Sequence, residues 1–148
     1  MNTYAVGTAL AARFGAVTPP SGYDAIKQSS VFVPDNISTF PAVIVLPPDT
    51  SLSYSMNRQV DEVHAFTVRF LYPRSAGGDR ATKALYAWRD ALVKSAVGDQ
   101  NLGVDGVVSC LVTGVTMGDV SYGADDELFA IDLRTEVRFR SVVAEIGA

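Results

Sequence analysis

Leu128-Phe129-Ala130-Ile131-Asp132-Leu133-Arg134-Thr135-Glu136-Val137-Arg138-Phe139-Arg140-Ser141-Val142-Val143 alternates apolar and polar side chains. A period of two is that of a strand with one dry face and one wet face. Phe129, Ile131, Leu133, Val137, Phe139 and Val143 share one side, with Thr135 and Ser141 among them. Asp132, Arg134, Glu136, Arg138 and Arg140 share the other. A slip of one residue would expose the whole apolar set, so the pairing register of this strand is firmly specified.

Working outward, Val60 to Tyr72 repeats the pattern, with Phe66, Val68, Phe70 and Tyr72 on one face and Thr67 and Arg69 on the other, and Pro73 ends it. Val107 to Met117 sets Val107, Leu111, Val115 and Met117 against Cys110, Val112 and Gly114. Both of its faces are apolar, which predicts a central strand. Asp119 to Asp126 reads as a polar turn. Phe40 to Leu46 is a β-branched run held between Pro41 and Pro47, the mark of a short buried strand. Pro47 to Arg58 reads as a long loop displaying Tyr54 and Met56. Residues 23–39 leave open a short strand through Ile26, Val31 and Val33 or an irregular cover.

Two helices complete the pattern. Val6, Leu10 and Phe14 recur at four-residue spacing among alanines before Gly15. Ala81, Leu85, Trp88, Leu92 and Ala96 form the apolar stripe of a second helix, with Asp79 as its N-cap and Gly98 as its stop. The reading is one α+β domain over residues 1–148. It consists of a mainly antiparallel sheet of about four strands with two helices on one face, in the order α-β-β-α-β-β.

The chain has 148 residues, 48% apolar and 19% charged, with a net charge of −4. This composition belongs to a globular domain, and its negative balance argues against strong direct nucleic-acid binding. The one cysteine, Cys110, excludes an intrachain disulfide. Met1 to Phe14 lacks the basic start and long apolar run of a signal peptide. No stretch reaches the ~18 uninterrupted apolar residues of a spanning helix. No membrane association is expected, and synthesis is read as cytosolic.

Candidate chemistry is sparse. His64 is the only histidine, which leaves hydrolytic triads and histidine-based metal sites one candidate each, and a packed strand position suits it better. Cys110 has no basic surroundings to activate a thiolate, so a core role is expected. Gly114-Val115-Thr116-Met117-Gly118 imitates a nucleophile elbow, but a turn and a strand follow where that motif needs a helix. Gly77-Gly78-Asp79-Arg80 lacks phosphate-loop spacing, and its aspartate would repel an anion. Asp125-Asp126-Glu127 with Asp119 does not match a calcium loop and reads as a solvated turn. The residues therefore point to no catalytic site, metal or cofactor. The row Asp132, Arg134, Glu136, Arg138 and Arg140 suits pairing across strands or between subunits, and equally the wet face of a sheet.

The order and length of the elements resemble the tail terminator proteins of long-tailed bacteriophages, also called minor tail or tail-completion proteins. The likeness runs along nearly the whole chain. It rests on the alanine-rich opening helix Tyr4 to Phe14, the strand Phe40-Pro41-Ala42-Val43-Ile44-Val45, and the strand His64-Ala65-Phe66-Thr67-Val68-Arg69-Phe70 beyond a long loop. The helix Ala84-Leu85-Tyr86-Ala87-Trp88-Arg89-Asp90-Ala91-Leu92 and two closing strands complete it.

The resemblance implies a homo-oligomeric ring, commonly a hexamer, at the head-proximal end of the tail tube. Such a ring stops tube polymerisation and offers a docking face to the head–tail connector protein. Its partners would be its own copies, the tail tube protein and that connector. DNA would pass through the bore without specific binding, a role suited to an acidic chain. The protein would reside in the virion, assembled in the host bacterial cytoplasm. Tyr54, Met56 and Arg58 are the expected contacts to a neighbouring subunit or the tube, with Asp132, Arg134, Glu136, Arg138 and Arg140 as a second contact set. Three other readings stay open: a head-completion or stopper protein of the neck, a small hydrolase built on His64, and a module that adds a partner strand to its sheet edge.

Overall fold

The computed structural model describes residues 3–31, 39–54, 59–73, 78–95, 102–121 and 127–142. Helix α1 (Thr3–Gly15) is followed by strands β1 (Gln28–Val31), β2 (Ala42–Tyr54) and β3 (Gln59–Pro73). Helix α2 (Gly78–Ser95) and strands β4 (Val107–Ser121) and β5 (Glu127–Val142) complete the chain. The strands form one sheet in the order β1-β2-β3-β5-β4. β1 runs parallel to β2, and every other pairing is antiparallel. The α+β class holds, but the sheet is mixed, has five strands rather than about four, and follows the order α-β-β-β-α-β-β. The extra strand comes from the ambiguous stretch, where Gln28–Val31 finds its partner in Ala42–Val45. Only that pairing makes the four residues a strand; their own pattern is too short to announce one.

The long alternating strands pair in the register their apolar faces demand. Val68 lies opposite Leu133, and Phe70 opposite Ile131. On the other side of β3, Val45 meets Val68 and Val43 meets Phe70. All six side chains are fully buried, together with Val6, Leu10 and Phe14 of α1 and Trp88 and Leu92 of α2. Both helices therefore cover the same face. Trp88 packs on Phe70 with ring centroids 4.9 Å apart. A smaller cluster of Ala42, Ile44, Leu71, Leu128 and Ala130 occupies one end of the opposite, helix-free face.

Helix α1 sits close to β1. A Cβ on Gly15 would come within 2.9 Å of Ser29, whose hydroxyl donates to the Ala11 carbonyl at 2.6 Å. Arg13 donates from Nη2 to the Ser95 carbonyl at 2.9 Å, tying the C-terminal turns of the two helices together. A guanidinium there also meets the negative ends of both helix dipoles. Helix α2 already begins at Gly78, which places Asp79, the expected cap, inside its first turn. The expected stop at Gly98 lies outside the described residues.

Two further expectations change. Pro47 to Arg58 is not simply a loop, because β2 continues to Tyr54, paired with Val60. The prolines are absorbed by a bulge: Leu46 pairs with Thr67 and Asp49 with Ala65, leaving Pro47 and Pro48 opposite one residue. A residue without an N–H is tolerated there because β1 covers only Ala42–Val45, and beyond that β2 is an edge. Strand β4, expected to be central, is the other edge. Register shifts at Val107/Ser109 and Val112/Gly114 each reverse its alternation. Cys110, Val112, Val115 and Met117 consequently join the helix-side core, while Leu111 turns outward and is exposed.

Candidate assembly interface

The expected contact residues separate onto two surfaces. Tyr54 ends the β2 arm and is 71% exposed. Its strand neighbours Leu52 and Thr50 pair with Glu62 and His64, on the helix-side face. Met56 and Arg58 lie outside the described residues. The row Asp132, Arg134, Glu136, Arg138 and Arg140 lies on the helix-free face, because the intervening Ile131, Leu133 and Val137 point into the core.

That row is partly committed within the chain. Asp132 and Arg69 stand opposite each other on β5 and β3 and form a two-pronged pair, Nε to Oδ1 at 2.8 Å and Nη2 to Oδ2 at 2.9 Å. Arg140 and Asp61 are likewise opposite, with Nε donating to Oδ1 at 2.9 Å. The hydrogen bond from Arg140 holds the Asp61 carboxyl below its ordinary range, and Arg140 is correspondingly pushed up. Arg134 and Glu136 approach only to 3.8 Å. Arg138 is exposed and has no hydrogen bond or ion pair among the described residues, though its charge adds to the stabilisation of ionised Asp61. Asp132 and Arg140 therefore brace neighbouring strands, and Arg134 and Arg138 remain the most available for outside contacts.

With Asp49 on the same side as Asp61, this face carries four arginines (69, 134, 138, 140) and four acids (49, 61, 132, 136). Among the described residues this face is charge-balanced. The Arg69–Asp132 pair is half-buried and should couple the two central strands. A double-mutant cycle with Arg69→Met and Asp132→Asn is expected to give a coupling of about 1 kcal/mol in urea unfolding. A coupling indistinguishable from zero would reduce the pair to a solvated ornament of the surface.

His64 is a packed strand residue. It is 4% exposed and stands between Thr50 of β2 and Val137 of β5. Thr50 Oγ1 lies 2.9 Å from Nδ1, and Glu62 Oε1 lies 3.7 Å from Nε2. The carboxylate favours the proton on Nε2, which makes the threonine hydroxyl the donor to Nδ1. A groove of about 540 Å³ between the ends of the helices is lined by Ala16–Pro20, Ala91, Lys94 and Ser95, and His64 is not part of its lining. Among the described residues, no three His, Cys, Asp or Glu side chains gather as a metal site. Among them, no helix is long and apolar enough to cross a membrane.

Burial lowers the His64 pKa below its ordinary 6.5, opposed in part by the charge and hydrogen bonding of Glu62. The unfolded chain therefore binds a proton that the folded chain resists. Stability is undiminished above about pH 6.5 and falls as the pH drops through that value toward the lowered folded pKa. Unfolding midpoints measured from about pH 7.5 down to about pH 5.5 should decline, and His64→Gln should flatten the decline. Asp61, held below the ordinary carboxylate range by its hydrogen bond from Arg140, loses its contribution only in stronger acid.

No protein-family model and no curated protein sequence matches the chain. Its fold is shared with a chain of a solved structure described as the virion of a native gene transfer agent particle. That likeness covers 89% of this chain and 84% of the other, with a TM-score of 0.58 and 18% sequence identity. At that identity the shared property is the fold.

Proposed function

We propose that the chain is a structural protein of a phage-like virion and acts as a tail terminator. In this role it forms a ring on the head-proximal end of the tail tube, halts tube polymerisation and presents a surface to the head–tail connector. The observation carrying the reading is a fold shared over 89% of this chain with a component of a gene transfer agent virion. The sheet adds support: its long outer strand and projecting β2 arm leave backbone and apolar surface for other subunits. Copies of this chain, the tube subunit and the connector are the proposed partners, and no catalytic step is assigned.

Immunogold labelling of the particle is the direct test. Label at the junction of tail and head, retained on tails after heads and tails are separated, is the expected result. Label retained on DNA-filled heads would replace the terminator with the neck stopper, and label on the capsid shell or the distal tip would overturn both. Arm deletions are poor probes, since removing Thr50 and Leu52 also removes rungs opposite His64 and Glu62. Leu52→Ser with Tyr54→Ser changes exposed side chains only and should weaken assembly while leaving the unfolding midpoint within about 0.5 kcal/mol of the parent.

A further inference from the structure

Beyond the level covered by β1, two borders of the sheet have no neighbouring strand among the described residues, and they occur at the same level. On β2, β1 covers Ala42–Val45 and Pro47-Pro48 offer no N–H, so the open border is Asp49–Tyr54. On β4, at the opposite side, the border runs along the whole strand. Following the register across, Asp49, Ala65, Glu136 and Leu111 form one rung, and Ser51, Val63, Arg138 and Ser109 another. Six large apolar residues are exposed among the described ones, and four lie at these borders: Leu52 (52%) and Tyr54 (71%) on one, Val108 (49%) and Leu111 (51%) on the other. Edge strands of this kind, without lysine or proline guards over Val107–Leu111, are templates for another strand.

We propose that the β4 border of one copy pairs with the Asp49–Tyr54 border of the next, continuing one sheet from subunit to subunit. The inference rests on the ring reading above and specifies its contact. The occupant is a second copy because the borders complement each other in three ways.

Strand direction alternates through β2, β3, β5 and β4, so a following β2 arrives antiparallel to β4 and the alternation is kept. Side chains also match by face. Leu52 and Tyr54 fall on the helix side, beside Val107 and Cys110 of the neighbour, while Leu111 falls on the helix-free side beside Ser51 and Ser53. Charge is complementary too. The exposed Arg138 stands one strand in from the border, opposite the small Ser109, and the exposed Asp49 lies on the facing border two residues from the Ser51 rung. The bulges of β4 confine regular pairing to the segments between them. Because the two borders differ, the contact is head-to-tail, the kind that closes into rings.

Cysteine pairing tests this in a Cys110→Ala background. Ser51→Cys and Ser109→Cys lie on one rung and one face, with Ser53→Cys to catch a stagger. Under mild oxidation, a mixture of the Ser51→Cys or Ser53→Cys chain with the Ser109→Cys chain should give disulfide-linked dimers. Neither chain should do so alone, and a doubly substituted chain should give a ladder of larger species. Linkage of the Ser109→Cys chain with itself would mean a two-fold β4–β4 contact and overturn the proposal. No linkage in any combination would overturn it as well.

Val108→Lys with Leu111→Lys should weaken self-association about tenfold or more with the unfolding midpoint retained; unchanged association would count against the contact. Immunogold labelling judges the tail reading separately. Label on the tail without linkage removes only the edge contact, and linkage with label elsewhere removes only the tail reading.

Discussion

Replacing Trp88 by alanine is expected to cost about 3–5 kcal/mol, measured as the loss of unfolding free energy in urea. The indole is completely buried and joins α2 to the sheet through Phe70. Leu85 and Leu92 flank it on the same stripe, and Ile131 and Leu133 of β5 belong to the same core. Alanine would leave a cavity where two layers meet, and neither the helix nor the sheet can shift to fill it without breaking other contacts. A domain of this size has only about 5–15 kcal/mol of stability, so the variant should be partly unfolded at physiological temperature. Trp88→Phe should cost much less, because the indole N–H has no hydrogen-bond partner among the described residues and the substitution removes an unsatisfied buried donor. Equal damage from both substitutions would place the importance of Trp88 somewhere other than the volume it fills.

The second large effect is expected at Gly106, just before β4. Its φ is +86°, and a Cβ there would run into the Phe139 ring from β5. Gly106→Ala therefore combines a left-handed backbone with a collision against a half-buried aromatic, and should cost about 2–4 kcal/mol. Gly103 supplies the control. Its φ is +66° and nothing lies near its Cβ position, so Gly103→Ala should cost only about 1–2 kcal/mol. A pair of equal losses would show that backbone strain alone sets the cost and that the Phe139 ring yields freely. The same glycine accepts at its carbonyl from the Arg140 N–H at 3.2 Å, so the turn also anchors the far end of β5.

These two positions show what could be read before any coordinates. Trp88 is legible because the spacing of Leu85, Trp88 and Leu92 marks a helical stripe, and a large aromatic at its centre belongs in the core. The pairing of β3 with β5 is legible for a similar reason: strict alternation over both strands admits one register. Gly106 is not legible, since its requirement depends on Phe139, far away in the chain. Strand β4 misleads because a bulge inserts a residue without any mark in the pattern, so Leu111 reads as core and stands in solvent. The β2 arm misleads in the opposite sense. Two prolines and a run of serines and threonines have the composition of a loop, yet pairing with β3 holds them extended. The contact row on β5 was recognisable as a charged face, but which of its members are already satisfied depends on Arg69 and Asp61 of β3.

The Pro47-Pro48 bulge has a mechanical meaning as well. Below it, β2 is clamped between two strands and covered by a helix; above it, the strand hangs on β3 alone. With two consecutive residues withdrawn from the ladder, an opening that starts at the arm tip meets a gap before it reaches Val45. The arm Asp49–Tyr54 is therefore expected to exchange its amide hydrogens faster than Ala42–Val45, opening ahead of the body of the sheet.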